Sequence, residues 1–152
     1  MYKVLIAAVL LTVTAGNATA QSAEDSVKIT IGNMFTAMRN SDGKSLLTCF
    51  ADSAILQTIA RNKEGNTVIK NEKLADFAVV VGSMPKAAAD ERITFDVVKV
   101  DGALAIAWTP YQFYFNGKFS HCGVNSFQLV KQNGSWKIQY LIDTRRKQGC
   151  QE

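Results

Sequence analysis

The chain has 152 residues, 47% of them hydrophobic and 20% charged, with a formal net charge of +4 at pH 7. That length suits one domain around one core. Apart from Arg145-Arg146-Lys147 the basic residues form neither a run nor a stripe interleaved with aromatics, which argues against nucleic-acid binding.

Residues 1–20 stand apart. Lys3 gives a positive start, 4–13 are almost wholly apolar, and Ala18-Thr19-Ala20 has the small-x-small pattern of a cleavage site. An apolar run this short falls below the about 20 residues needed to cross a bilayer, so a secretory signal peptide is expected over 1–20. The mature domain then covers 21–152, exported to the periplasm or beyond, with a charge of +3 once Lys3 is gone and no membrane span after cleavage. No Cys follows the cut, which argues against lipid attachment there. With one His and no CxxC among Cys49, Cys122 and Cys150, neither a metal site nor a cofactor is expected.

From residue 22 to 40 the apolar positions Val27, Ile31, Met34, Phe35 and Met38 fall at helical spacing. Ser22 with Asp25 resembles a capping box. Asn40-Ser41-Asp42-Gly43 ends the helix, and a short second one is expected over 44–50 with Leu46, Leu47 and Phe50 inward. A strand over 54–60 turns at Lys63-Glu64-Gly65-Asn66 into a brief partner over 67–69. Asn71 is placed to cap a third helix running to Val81, with Leu74, Phe77, Ala78 and Val81 on its apolar side and Gly82 and Pro85 beyond it.

The period then changes from 3.6 to 2. Ile93, Phe95 and Val97 alternate, and three turn dipeptides follow: Asp101-Gly102, Asn116-Gly117 and Asn133-Gly134. Such pairs accept the positive φ of two-residue hairpin loops, so four long antiparallel strands in a meander are expected. Two-residue loops at these dipeptides oppose Val97 to Ile106, Gln112 to His121, Trp108 to Asn125 and Asn125 to Ile142. Opposed residues share a face. One concave set results: Phe95, Val97, Ile106, Trp108, Gln112, Tyr114, Phe119, His121, Asn125, Phe127, Leu129, Trp136, Ile138, Tyr140 and Ile142, subject to any bulge near Pro110. Cys122 falls on the opposite face, where the tail lets Cys150 fold back to it. Export makes that disulfide plausible, with Cys49 left over; three free thiols are the alternative.

The order of elements, with Phe50-Ala51-Asp52-Ser53-Ala54, the segment 117–124 (Gly-Lys-Phe-Ser-His-Cys-Gly-Val), Gly134-Ser135-Trp136-Lys137-Ile138 and Asp143-Thr144-Arg145-Arg146, resembles the nuclear transport factor 2-like superfamily. Within it the likeness is to small exported proteins grouped as lumazine-binding-like. The resemblance implies an α+β cone, a curved antiparallel sheet wrapped around the long N-terminal helix, with an open-ended cavity. Cones of this kind serve binding, isomerisation, cyclisation and assembly, so fold alone leaves function open.

The concave set then supplies the candidate pocket: Trp108, Gln112, Tyr114, Phe119, His121, Asn125 and Tyr140, suited to a small apolar or aromatic ligand. His121, the only histidine, is a candidate for proton transfer with Tyr114 or Tyr140, or for ligand contact, or is a core residue bonded to Gln112. Similar ketosteroid isomerases use a buried carboxylate base. Here the registers put no Asp or Glu on the concave side of the long strands and set Asp143 on the outer face, while Asp52 and Asp76 lie on the helical half. Thr109, Tyr111, Phe113 and Phe115 alternate along the outer face, as a homodimer surface would require. A binding or accessory protein is the leading expectation. An isomerase- or cyclase-like enzyme using His121 and a structural dimer with a filled cavity are the alternatives.

Overall fold

A computed structural model describes residues 22–150, so the expected signal peptide lies outside the described residues. Helix α1 spans Ala23–Arg39. Ser22 caps it: its Oγ accepts from the Asp25 backbone N–H at 3.0 Å and donates to the Asp25 carboxylate at 2.7 Å. Its apolar stripe, Val27, Ile31, Met34, Phe35 and Met38, is buried. Ser41, at φ 58°, reverses the chain, and Asp42 caps α2 (Gly43–Thr48) through the Ser45 N–H at 2.9 Å. Helix α2 stops short of the expected 50, because Phe50 already begins strand β1 (Phe50–Arg61). Leu46 and Phe50 are buried and Leu47 is exposed.

Strand β2 (Thr67–Glu72) pairs antiparallel with β1 and runs further than expected. Asn71 is therefore a strand residue rather than a cap: its Oδ1 accepts from Gln57 Nε2 at 2.7 Å. Helix α3 (Leu74–Ser83) starts after Lys73 without a side-chain cap, buries Ala78 and Val81, and includes Gly82. Among the described residues no helix is long and apolar enough to cross a membrane.

Five strands complete one curved sheet: β3 (Ala89–Ile93), β4 (Val97–Asp101), β5 (Leu104–Phe115), β6 (Lys118–Gln132) and β7 (Ser135–Arg146). The order is β2-β1-β7-β6-β5-β3, with β4 also on β5. The sheet is mixed, since β1 and β7 run parallel. The expected first meander strand is broken into β3 and β4 opposite Pro110. Thr94 N–H donates to the Pro110 carbonyl at 3.0 Å, so Pro110 turns its donorless nitrogen toward the same edge and cannot complete the ladder there.

Two of the three hairpin turns are where they were expected, but much of the expected face is not. Asn116-Gly117 and Asn133-Gly134 adopt positive φ, and the adjoining pairs Tyr114–Phe119 and Leu129–Ile138 match expectation. The first hairpin turns on Gly102-Ala103 instead of Asp101-Gly102, which slides its pairing by two residues and opposes Val97 to Trp108. Two bulges then intervene. Phe113 opposes His121 while Tyr114 opposes Phe119, leaving Ser120 extra; Gln128 opposes Tyr140 while Leu129 opposes Ile138, leaving Gln139 extra. Each extra residue inverts the parity of everything beyond it. The concave side of β5 is thus Ala105, Ala107, Thr109, Tyr111 and Phe113, facing α1, and Ile106, Trp108, Gln112, Tyr114, Tyr140 and Ile142 move to the other face. Val97 is exposed as well, and β4 packs Val98 and Val100 against the core. The bulges lie near Phe113 and Gln128, not at Pro110. Phe127, Leu129 and Ile138 remain inward and wholly buried, with the Phe35 ring edge-on to Phe127 at 6.3 Å between centroids.

Cys122 and Cys150 form a disulfide with Cα atoms 5.7 Å apart, and Cys49 is free and buried. The bond ties the tail after β7 to the outer face of β6.

Candidate functional site

Between α1, α3 and the open end of the sheet lies a cavity of about 230 Å³. Met34, Phe35, Met38, Phe77, Val81 and Phe113 form its apolar walls, and its polar end is built by strands. The Gln139 bulge turns Asp143 inward, opposite Asn125 on one side and Thr58 on the other. Buried there, the Asp143 carboxylate accepts from Thr58 Oγ1 at 2.5 Å and from Arg145 Nε at 2.8 Å. Arg145 Nη2 also donates to Thr58 Oγ1 at 3.1 Å, so acid, hydroxyl and guanidinium form a closed triangle. The Tyr111 hydroxyl lies 2.9 Å from the Thr144 carbonyl and 3.2 Å from Asp143, and burial followed by the Asp143 charge pushes its pKa far above the ordinary phenol value. Burial works against the charge of Arg145, but its bond to Asp143 and the carboxylates around it raise its pKa on balance.

Tyr111 reaches Asp143 across β6 because residue 123 is glycine. A Cβ on Gly123 would come 1.8 Å from the Thr144 carbonyl oxygen and 2.7 Å from the Tyr111 ring. Only a residue without a side chain lets the phenol cross there.

Glu91 on β3 supplies a second acid. Its Oε1 accepts from Asn125 Nδ2 at 2.8 Å, and Oε2 has no hydrogen-bond partner among the described residues. Burial pushes its pKa up to about 7, against the pull of the Asn125 bond; Asp143 adds to the rise and Arg145 opposes it. Glu72, at the end of β2, is likewise raised by burial. His121 lies against the Tyr111 and Phe113 rings at 5.7 and 4.9 Å between centroids, its Nδ1 3.1 Å from Ser120 Oγ. Burial, then the Arg145 charge, lowers its pKa, so the ring is neutral at pH 7.

Solved structures of low sequence similarity share this architecture. A protein of unknown function from Shewanella baltica OS155, described as nuclear transport factor 2-like, matches 80% of this chain and 92% of its own at 10% identity and TM-score 0.61. Another so described, from Methylobacillus flagellatus KT, matches 86% and 99% at 18% identity and TM-score 0.62. A ketosteroid isomerase-like protein from Erwinia carotovora atroseptica SCRI1043 matches 80% and 95% at 14% identity and TM-score 0.59.

The chain has the nuclear transport factor 2-like fold. At these identities the likeness is one of fold. No protein-family model matches the chain, and no curated protein matches it.

Within this nuclear transport factor 2-like cone the expected pocket residues part company. His121 and Asn125 line the cavity. Trp108 and Phe119 are exposed on the outer side. Gln112 accepts from the Tyr114 hydroxyl at 2.9 Å, and the Arg92 guanidinium lies 4.0 Å from the Tyr114 ring centroid. Tyr140 donates to Gln57 Oε1 at 2.6 Å. Neither Tyr114 nor Tyr140 lines the cavity, so the pairing of either with His121 is corrected: Tyr111 is the tyrosine beside it. Thr109, Tyr111 and Phe113 face inward, leaving only Phe115 of the expected outer row exposed, so that row does not form the continuous ring surface expected of a homodimer. The acid-free concave side is corrected too, since Glu91, Asp143 and Glu72 all line the cavity. Asp143 was hidden by the unforeseen bulge. Glu91 was within reach, because carrying the Phe95, Ile93 alternation back one more step lands on it.

Proposed function

We propose that this chain is an exported small-molecule-binding protein whose site is the cavity between α1, α3 and β3, β5, β6 and β7. One observation carries the reading: an open cavity of about 230 Å³ joins apolar walls to a polar end where Glu91 Oε2 is unspent. A cavity of about 150 Å³ already admits a benzene ring, so a single ring with short substituents fits. The disulfide supports an oxidising destination, and the mature chain is expected to begin at Gln21, which N-terminal sequencing of secreted protein checks. For binding, ligand-observed NMR against single-ring fragments is expected to give hits that vanish in Leu141→Trp, a variant that fills the cavity, with folding verified by circular dichroism. Hits that persist in the filled variant refute the site.

Proton-transfer catalysis is a second reading, favoured by a carboxyl poised near neutrality in a cavity. The base would be Glu91 rather than His121 with Tyr114 or Tyr140. Turnover by the wild type that Glu91→Gln abolishes and His121→Ala spares is the expected sign of it.

A further inference from the structure

The cavity and the surface differ in charge. The whole chain carries +4, yet the ionisable groups lining the cavity are Glu72, Glu91 and Asp143 against Arg145, with His121 neutral. Arg145 is already committed, through Nε to Asp143 and through Nη2 to Thr58. Thr58 and Tyr111 likewise spend their hydroxyl protons inside the protein. Arg145 keeps further N–H groups, but on a half-exposed side chain, so the unspent capacity on the partly buried side of the polar end is an acceptor, Oε2 of Glu91. The same cavity is walled by the rings of Phe35, Phe77, Tyr111 and Phe113, and aromatic walls attract cations through their quadrupoles.

We propose that this cavity takes a small organic cation: an ammonium or amidinium group on a ring-sized apolar body, its N–H donated to Glu91 Oε2. This rests on the binding function argued above and names the ligand class. An anionic ligand would meet three carboxylates against one guanidinium, whose Nε and Nη2 already serve Asp143 and Thr58. A neutral ligand would gain the apolar burial without the charge.

Binding of a cation requires the ionised carboxylate, which couples affinity to pH. The titratable and hydrogen-bonding groups that share the cavity with Glu91 include Tyr111 on β5, His121 and Asn125 on β6, Asp143 and Arg145 on β7, and Glu72 on β2; the cavity residues of α1 and α3 are apolar. With Glu91 titrating at about 7, affinity for a cation rises about tenfold per pH unit below that value and levels off above it.

The test measures binding of benzylamine, benzyl alcohol and benzoate to the full mature protein by calorimetry from pH 5.5 to 8.5. Benzylamine is expected to bind at least about tenfold tighter than benzyl alcohol at pH 8, benzoate weakest, with the benzylamine advantage vanishing at pH 5.5. Glu91→Gln should weaken benzylamine by about 10- to 100-fold, as loss of a hydrogen bond to a charged group predicts, and leave benzyl alcohol little changed. Equal affinity for amine and alcohol, a preference for benzoate, or a flat pH profile overturns the cation assignment while the cavity stands as a binding site. If none of the three binds, both fall. The three-probe comparison needs only wild-type protein, so it decides even if the variant misfolds.

Discussion

Glu91→Gln also tests how the cavity weighs on the fold. An unfolded glutamate ionises near 4.5, and Glu91 in the folded chain ionises at about 7. Between those values the unfolded chain has released the proton that the folded one still holds. Stability from this group is fully present below pH 4.5, declines as pH rises and levels off above about 7. The interval is about 2.5 pH units, so at 1.36 kcal/mol each it costs on the order of 3 kcal/mol at pH 8. Glutamine keeps the shape and the acceptor for Asn125 without the charge. The variant is therefore expected to be more stable than wild type by up to about 3 kcal/mol at pH 8, a Tm higher by roughly 10 °C for a domain of this size, and no more stable at pH 4.5. Thermal melts by circular dichroism at both pH values, for both proteins, read the difference directly. A difference that does not grow with pH, or a variant less stable at pH 8, refutes the burial of this carboxyl.

Three further outcomes follow from the same geometry. Gly123→Ala should cost at least about 3 kcal/mol, because its methyl meets the Thr144 carbonyl and the Tyr111 ring; a Tm within 2 °C of wild type would show that the crossing is not tight. Arg145→Met leaves the buried Asp143 charge without its cation and should cost about 2 kcal/mol, less than a wholly buried pair because Arg145 is half-exposed, whereas Asp143→Asn/Arg145→Met should recover most of the loss in a denaturant titration. Cys150→Ser should lower stability by about 3–4 kcal/mol in non-reducing buffer, from the closure of a loop spanning 28 residues, and should match wild type in reductant; equal effects in both buffers would dismiss the bond.

Local signals specified much of this protein. Ser22 and Asp25 capped the first helix where the sequence placed the cap, the stripe from Val27 to Met38 became its buried side, and the Asn-Gly pairs turned where positive φ was required. The disulfide also followed from the outer placement of Cys122 and the length of the tail. The candidate site was legible only at His121 and Asn125, both on β6 beyond the first bulge and before the second.

Turn chemistry fixes register only next to the turn, and carrying it twelve residues along a strand assumes that no residue is added. Ser120 and Gln139 are each such an addition, made where a sheet bends around a helix, and bending is a property of the packed sheet and helix rather than of a dipeptide. What the chain determined by itself was therefore the number, kind and hinge points of its elements, through short-range backbone preference and hydrophobic period. Which side of the sheet each residue meets was decided by tertiary curvature, and that choice moved Asp143, Tyr111 and Arg145 into the cavity and turned Trp108 and Tyr114 out of it.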